Sequence, residues 1–296
     1  MEKITAAEKK VRDYYENIWS PPIQVEGRDE NPLLGFHYGL YEKGIKNWKE
    51  AAINMNDFVG RLLKLDNTRN IEILDVGCGI GSTSVYLAMK YSNVKFTGIT
   101  LAPSEIKFAK KIQKDNRVTN AEFIEGSYLK TFFPSEYFDG VFAIESFGYA
   151  QNKKGFIFEM KRILKPGKKL IILDGFRTDK SIPSFLQRVY SSFLSRRALP
   201  NLMSLNDFIQ SLDKEGFKQI DIIDLTKANN LMYNFLQLDF FKILINFFLL
   251  QFKKAIKGNS YKSKEDIYFV LGALVPELIL GMGKKIGYYG VTAVKK

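Results

Sequence analysis

Hydrophobic residues follow two different patterns along this chain of 296 residues. Up to residue 70 they recur at helical spacing, in VRDYYENIW and in KNWKEAAINMNDFVGRLLKL, and a stretch with Pro and Gly separates these segments. From Ile71 onward, short apolar runs alternate with amphipathic segments, which is typical of a parallel sheet with helical crossovers. The pattern predicts an α/β protein with an N-terminal helical cap at residues 1–70 and a core at residues 71–226.

Six apolar runs of the core are predicted to be strands: IEILDVG, VKFTGIT, AEFIEG, FDGVFAI, KKLIILDGF and FKQIDIIDL. Helices are predicted between them near Ser82–Tyr91, Pro103–Lys114, Lys154–Leu164 and Ser204–Glu215. Right-handed crossovers bring the carboxyl ends of parallel strands to one edge of the sheet, where ligands of such proteins bind. Asp75–Gly81 is the first segment at that edge.

The alternation stops after Thr226, where two long apolar segments replace it. These segments predict a helical insertion at residues 227–286, and GYYGVTAVKK predicts a final strand at residues 287–296, antiparallel to FKQIDIIDL. One stripe of the insertion carries polar residues, namely Asp239, Lys242, Asn246, Lys253 and Lys257. Such a helix could dock on an anionic membrane, pack on the sheet or form a dimer face, and the pattern leaves these alternatives open.

Composition limits the possible functions mainly through the scarcity of cysteine and histidine, and less through the net charge. The net charge of +12 favours anionic partners, which include nucleic acid, lipid headgroups and acidic metabolites. One cysteine (Cys78) and one histidine (His37) cannot supply a disulfide or a four-ligand Cys/His zinc site, so no metal is predicted. The N-terminus lacks the apolar core of a secretory signal, and the longest apolar stretch is too short to span a bilayer. We therefore predict a cytoplasmic protein.

A glycine-rich turn follows the first predicted strand in ILDVGCGIG. Glycine suits a backbone that turns sharply from strand to helix and approaches a ligand closely. The dinucleotide fingerprint G-x-G-x-x-G requires a third glycine at the position of Ser84, and a tight turn without any ligand is the simplest alternative. The form D-V-G-C-G-x-G resembles the loop of class I S-adenosylmethionine-dependent methyltransferases.

This resemblance implies a Rossmann-like sheet, mostly parallel with an antiparallel last strand, and S-adenosylmethionine as the cofactor. It also implies a polar contact between Asp75 and the amino-acid part of the cofactor. The loop that lies against that part is formed by Gly77, Cys78, Gly79 and Gly81.

The segment GITLAPSE carries Thr100 where most such enzymes have an acidic residue for the ribose hydroxyls. It resembles the GITLSPxQ segment of tocopherol methyltransferases and of cyclopropane-fatty-acid synthases. That resemblance implies that Thr100, Leu101 and Glu105 hold the ribose, although a first-turn glutamate also simply favours a helix N-terminus. After the next strand, Ser127 and Tyr128 are expected near the adenine.

The segment AIESFGYA resembles the AxES(G/x)EH segment that closes the cofactor pocket and faces the acceptor in this family. Glu145 is retained, and Tyr149 replaces the usual histidine. The candidates for a catalytic base are therefore Glu145, Tyr149 and His37, unless positioning and desolvation make a base unnecessary. His37 lies in FHYGLYEKG, which resembles a cap segment of the same enzymes and makes Tyr38 and Tyr41 expected pocket residues.

The similarity to tocopherol methyltransferases covers nearly the whole chain and includes the ending GALVPELILGMGKKIGYYGVTAVKK. It implies methyl transfer to an apolar acceptor, such as a prenylated ring, a terpenoid or another lipid, with peripheral membrane contact as a further expectation. The competing hypotheses are lipid modification of the cyclopropane-synthase type, methylation of a small amine or of nucleic acid, and binding of cofactor or lipid without turnover. Nucleic acid is disfavoured because the basic residues are dispersed and no NPPY-like motif is present. The oligomeric state stays open.

Overall fold

A computed structural model of the protein describes residues 4–21, 31–35, 37–179, 181–228 and 284–296. Helices α1 (Ala6–Asn17) and α2 (Trp48–Leu63) are described before the sheet. A capping box starts α1, because the Thr5 hydroxyl accepts from the backbone of Glu8 while the Glu8 carboxylate accepts from the backbone of Thr5. The predicted helical character of these two segments is confirmed.

The remaining elements, in chain order, are β1 (Ile71–Val76), α3 (Ser82–Lys90), β2 (Val94–Thr100), α4 (Pro103–Asp115), β3 (Ala121–Glu125), β4 (Phe138–Ile144), α5 (Lys153–Ile163), β5 (Leu164–Arg177), α6 (Gln187–Arg196), α7 (Leu205–Lys214), β6 (Phe217–Asp224) and β7 (Ile286–Lys295). A single 3₁₀ turn, Phe147–Tyr149, follows β4, and another, Ser184–Leu186, precedes α6. All six predicted strands of the core and all four predicted helices are confirmed, with ends shifted by up to four residues.

The seven strands form one sheet in the order β3-β2-β1-β4-β5-β7-β6. Neighbours from β3 to β5 are parallel, whereas β7 lies antiparallel between β5 and β6. The prediction of a mostly parallel sheet with an antiparallel last strand is therefore confirmed. Strand order reverses between β1 and β4, and the carboxyl ends of the strands at such a point are where open α/β sheets bind ligands.

Apolar side chains fill both faces of the sheet. Phe156 of α5 and Phe208 of α7 pack on one face, and Phe58 of α2 and Val85 of α3 pack on the other. Phe142 of β4 is completely buried, and burial of such a side chain stabilises the fold by about 2 kcal/mol. Because helices cover both faces, the carboxyl edge of the sheet is the place where the core leaves room for polar chemistry.

Two elements differ from the sequence prediction. Helix α6 was not predicted, although its apolar residues recur at helical spacing; Phe193 is its one buried residue among those described. Strand β5 starts at Leu164, which was predicted to be the last residue of the preceding helix. Its pairing with β4 shifts register between Phe138 and Gly140, and this shift accommodates the turn at Gly167.

The predicted insertion at residues 227–286 lies outside the described residues except for residues 227–228 and 284–286, and its amphipathic stripe stays a prediction. The division into cap, core, insertion and final strand likewise stays a prediction. Within the described part of the chain, the helices are all too short or too polar to cross a bilayer.

Candidate active site

The loop after β1 contains three glycines with positive φ angles, 74° at Gly77, 53° at Gly79 and 78° at Gly81. A side chain at Gly77 would overlap the side chain of Ser146, which follows β4, and a side chain at Gly81 would overlap a ring of β3. Among the described residues, a Cβ at Gly79 would approach the Glu105 carboxylate alone, at 3.8 Å. Two of the glycines thus permit close packing, whereas Gly79 leaves the loop open toward Glu105.

The carboxyl end of β2 holds a buried carboxylate. The Thr100 hydroxyl donates to Glu105 Oε2 at 2.7 Å, and the Glu105 side chain is only 2% exposed. Leu101, between them, is also buried. Glu105 belongs to the first turn of α4, where the helix dipole stabilises a negative charge. Glu105 therefore places a carboxylate beside Thr100, the residue found where most such enzymes have an acid.

Asp75 is a buried residue near the carboxyl end of β1, two positions before the first glycine of the loop. Its carboxylate accepts from the Ser84 hydroxyl at 2.7 Å. Burial raises the pKa of Asp75 to about 7, and the hydrogen bond from Ser84 opposes this rise. The Cys78 thiol lies in the loop near Asp75 and Glu105, and burial raises its pKa well above the usual range. Because the thiolate is the nucleophile, a half-buried thiol with a raised pKa is a poor nucleophile at neutral pH.

The two candidates after β3 have different surroundings. The Ser127 hydroxyl donates to the Glu8 carboxylate of α1, so the cap helix reaches the carboxyl end of β3. The Tyr128 hydroxyl donates to the Ser146 carbonyl at 3.0 Å, and its ring packs against Phe156 in the core. Ser127 therefore lies between the sheet edge and the cap, and Tyr128 connects the ends of β3 and β4.

Glu145 directly follows β4 and has a left-handed backbone, with φ of 52°. Its Oε1 accepts from the backbone of Tyr38 at 2.6 Å and from the Tyr288 hydroxyl at 3.1 Å. Burial raises the pKa of Glu145 to about 8, although the hydrogen bond from Tyr38 lowers it. A strained backbone and a buried acid with a perturbed pKa are both common at functional sites.

The turn Phe147–Tyr149 is held from both sides. Lys153 Nζ donates to the carbonyls of Phe147 and Gly148, at 3.1 and 2.6 Å. Asp174 of β5 accepts from the backbone of Gly148 at 2.9 Å. Burial raises the pKa of Asp174 and lowers that of Lys153. These contacts fix the backbone that carries the Tyr149 side chain.

Five tyrosines lie in two groups near the end of β4: the rings of Tyr14, Tyr15 and Tyr149 pack in series, whereas Tyr38 and Tyr288 hydrogen-bond to Glu145. We call these five residues the tyrosine cluster. The rings of Tyr15 and Tyr149 are 5.5 Å apart, and those of Tyr38 and Tyr288 are 5.7 Å apart. Burial raises the pKa of Tyr149 to about 12. The cluster thus combines aromatic surface with hydroxyl groups that stay protonated at neutral pH.

His37 is engaged away from this cluster. Its Nε2 lies 3.0 Å from Asn56 Oδ1 of α2, and its Nδ1 lies 3.0 Å from the carbonyl of Tyr38. The Thr83 hydroxyl of α3 donates to the same Asn56 oxygen at 2.8 Å. These contacts join the cap to α2 and α3, and they orient the neighbouring Tyr38 toward Glu145.

The predicted site residues thus form two groups at the carboxyl edge. Gly79, Thr100 and Glu105 are brought together with Asp75 at the ends of β1 and β2. Glu145 and Tyr149 meet at the end of β4, with Tyr38 but without the imidazole of His37. No group of three His, Cys, Asp or Glu side chains among the described residues is arranged to hold a metal ion.

Four residues of the site were missed by sequence reasoning: Tyr14, Tyr15, Arg197 and Tyr288. The first two lie in a segment that was predicted to be helical, and the tyrosine pair in VRDYYENIW was a usable signal. Arg197 directly follows the unpredicted helix α6, and its Nη2 donates to the Tyr38 hydroxyl at 3.2 Å. Tyr288 was assigned to a strand, but the register that aims it at Glu145 is not visible in the sequence.

Comparison with known proteins identifies the family to which the chain belongs. A family model described as a methyltransferase domain matches residues 67–220, more than half of the chain. Norajmaline N-methyltransferase of Rauvolfia serpentina is 30% identical over 210 residues, which cover 66% of this chain and 72% of the relative. The 2-methyl-6-phytyl-1,4-hydroquinone methyltransferase of Synechocystis sp. is 32% identical over 147 residues, 49% of this chain and 45% of the relative.

Among solved structures, geranyl diphosphate C-methyltransferase from Streptomyces coelicolor A3(2) is similar in fold, with a TM-score of 0.76. The superposition covers 100% of both chains at 15% sequence identity. That structure is a complex with Mg²⁺, geranyl-S-thiolodiphosphate and S-adenosyl-L-homocysteine. The strand order, the glycine loop and the family match lead to one conclusion: the chain belongs to the class I S-adenosylmethionine-dependent methyltransferases that act on small molecules.

Proposed function

We propose that this methyltransferase methylates a small, largely apolar acceptor of the prenylated-ring, terpenoid or lipid type. The observation that carries the proposal is the tyrosine cluster at the carboxyl edge of the sheet, which gives an acceptor aromatic surface beside Glu145. Relatives named for a phytyl hydroquinone and for geranyl diphosphate support an acceptor of this kind.

The residues around the glycine loop fit the cofactor. The open surface at Gly79 gives a ligand close access to the backbone, which a side chain at this position would fill. The Glu105 carboxylate supplies the acceptor atoms that ribose hydroxyls need at the end of β2, and Asp75 supplies a polar group beneath the loop. We assign these three residues and Thr100 to cofactor binding, with Leu101 packing beside them and Ser127 and Tyr128 toward the adenine.

Helix α1 covers the edge and limits access of water. Its Glu8 carboxylate accepts from Ser127, and its Glu16 carboxylate accepts from the backbone of Ser104 at 2.9 Å. Tyr15 of the same helix lies against Tyr149. When bound, S-adenosylmethionine supplies an electrophilic methyl group on a sulfonium, and exclusion of water strengthens the electrostatic interactions that this chain's residues make with the acceptor.

Glu145 and Tyr149 are the groups that can hold or move a proton at the acceptor. Because the pKa of Glu145 is raised to about 8, this side chain is mostly a neutral donor at pH 7 and becomes a base as the pH rises. Tyr149, with a pKa of about 12, orients an acceptor by hydrogen bonding and does not serve as a base at neutral pH. In this proposal His37 has a structural role through Asn56.

The experiment is incubation of the protein with methyl-labelled S-adenosylmethionine and a lipid extract of the source, followed by mass spectrometry. Label in the lipid fraction supports the proposal. Label in RNA, or in water-soluble amines added in parallel, would replace it by one of the alternative acceptors. Absence of label despite measurable binding of S-adenosylhomocysteine would indicate a binding protein without turnover.

A further inference from the structure

Glu8 is the acid that helix α1 brings to the carboxyl end of β3. Its Oε1 accepts from the Ser127 hydroxyl, and its Oε2 accepts from the backbone of Thr5 at 2.8 Å. The two oxygens of a carboxylate can accept about four hydrogen bonds. Within the described part of the chain, these two contacts therefore leave room on the Glu8 carboxylate for a ligand that donates.

Helix α1 lies across the ends of β2 and β3. Eight residues beyond Glu8, Glu16 accepts from the backbone of Ser104 in the first turn of α4 at 2.9 Å, and this spacing is about 12 Å along a helix. The backbone of Gly126, after β3, donates to the carbonyl of Thr100 at 2.9 Å. The loop after β3 thus adjoins the end of β2, where we place the ribose.

The order of the strands indicates where the base of the cofactor lies. We place the amino-acid part at Gly79 after β1 and the ribose at Glu105 beside the end of β2. Adjacent strands are about 4.8 Å apart, and β3 borders β2 on the side away from β1. In S-adenosylmethionine the ribose carries the sulfur at one end and adenine at the other. Adenine therefore extends toward the end of β3, where Ser127 and Glu8 lie.

The other polar groups at the end of β3 are less suited to meet a donor from the base. The Ser127 hydroxyl gives its hydrogen to Glu8 and accepts from the backbone of Leu129 at 3.1 Å. The Tyr128 side chain is buried, and its hydroxyl donates to a backbone carbonyl after β4. Glu125, the last residue of β3, is exposed. Glu8 is thus the carboxylate that lies between α1 and this edge of the sheet.

We propose that Glu8 of helix α1 accepts a hydrogen bond from the exocyclic amine of adenine, with Ser127 orienting the carboxylate. The amine is a donor and a carboxylate has acceptors only, so the pair forms a charge-assisted hydrogen bond. A purine with a carbonyl oxygen at the same position would turn an acceptor toward the carboxylate. This inference rests on the proposed function and adds to it a cofactor residue from outside the sheet. Because α1 also holds Tyr15 against Tyr149, the bound base helps to keep this cover over the acceptor side.

The test compares two ligands of the full chain, S-adenosylhomocysteine and S-inosylhomocysteine, in which a carbonyl oxygen replaces the exocyclic amine. Calorimetry should show that the parent binds the adenosyl ligand about tenfold or more tightly than the inosyl ligand. Glu8→Gln keeps an oxygen for the Thr5 backbone, so the capping box is retained. Its amide NH₂ then faces Ser127 and can donate to a carbonyl oxygen, so the preference should fall to about threefold or less.

Glu125→Gln is the matched control, because it makes the same chemical change at an exposed acid at the end of the same strand. It should keep the full preference for the adenosyl ligand. Ser127→Asp combined with Glu8→Gln returns a carboxylate to this edge and should restore most of the preference. Thermal unfolding of each variant without ligand verifies that it is folded.

Affinities of the parent for the two ligands within about twofold of each other would overturn the inference. So would a preference that Glu8→Gln leaves unchanged or that Glu125→Gln removes. The proposed function fails by a different result, since it requires labelled methyl groups in the lipid fraction and makes no demand on the inosyl ligand. A parent protein that labels lipid but binds both ligands equally would refute the role of Glu8 and leave the proposed function standing.

Discussion

Removal of the Glu105 carboxylate should weaken cofactor binding without unfolding the protein. The Glu105 side chain is buried beside the end of β2. Its Oε2 accepts a hydrogen bond from Thr100 Oγ1 at 2.7 Å. Loss of a charge-assisted hydrogen bond to the ribose costs about 1.5–3 kcal/mol. Glu105→Ala should therefore raise the dissociation constant of S-adenosylhomocysteine by about 10- to 150-fold.

Calorimetry with S-adenosylhomocysteine measures this effect directly, and two variants sharpen it. Glu105→Gln keeps one acceptor oxygen and should lose less affinity than Glu105→Ala. Thr100→Asp combined with Glu105→Ala restores an acid at the end of β2 and should recover part of the affinity. Glu215→Ala, at the end of α7, is the control. If Glu105→Ala binds within about twofold of the parent while its melting temperature is unchanged, Glu105 does not hold the ribose.

Further predictions concern the acid after β4, the glycine loop and the insertion. The pKa of Glu145 rises on folding from 4.5 to about 8, so its contribution to stability is fully present below pH 4.5 and is lost as the pH rises toward 8. Glu145→Gln should remove this pH dependence of the unfolding free energy, which amounts to about 5 kcal/mol over the whole range, in urea unfolding measured at several pH values; the same pH dependence in parent and variant would contradict it. Gly77→Ala should lower the unfolding free energy by about 1–3 kcal/mol more than Gly167→Ala. Both glycines have a φ near 73°, but among the described residues only a Cβ at position 77 would meet a side chain, that of Ser146. Equal losses of unfolding free energy in the two variants would show that the Ser146 side chain moves aside at little cost. Pelleting with anionic liposomes, predicted from the sequence pattern of the insertion, should disappear when three lysines become glutamate, and unchanged pelleting would reject the membrane contact; the three are Lys242, Lys253 and Lys257.

The fold follows from local patterns to a large extent. The six core strands are short and apolar, and the glycines of the loop after β1 take the positive φ angles that their spacing suggests. The position of each strand within the sheet is harder to predict from the sequence. The antiparallel placement beside β6 was predicted, but the insertion of β7 between β5 and β6 depends on pairing of residues more than 60 positions apart, which periodicity does not encode.

The residues that we propose for cofactor binding could be inferred from motifs because they lie on contiguous segments at the ends of β1 and β2. The acceptor side was less accessible, since its contacts join distant parts of the chain. Tyr38 and Glu145 are 107 residues apart, Tyr288 and Glu145 are 143 apart, and Arg197 and Tyr38 are 159 apart. Each contact requires the cap, α6 and β7 to be packed on the sheet first, so no local sequence pattern contains it.

The most direct test of the proposed cofactor site is a crystal structure of the protein with S-adenosylhomocysteine. We expect the ribose hydroxyls within hydrogen-bond distance of the Glu105 carboxylate, the amino-acid part against the loop at Gly79, and the sulfur facing Glu145 and the tyrosine cluster. A ligand bound away from the carboxyl ends of β1 and β2, or a ribose held by other residues while Glu105 faces elsewhere, would contradict it.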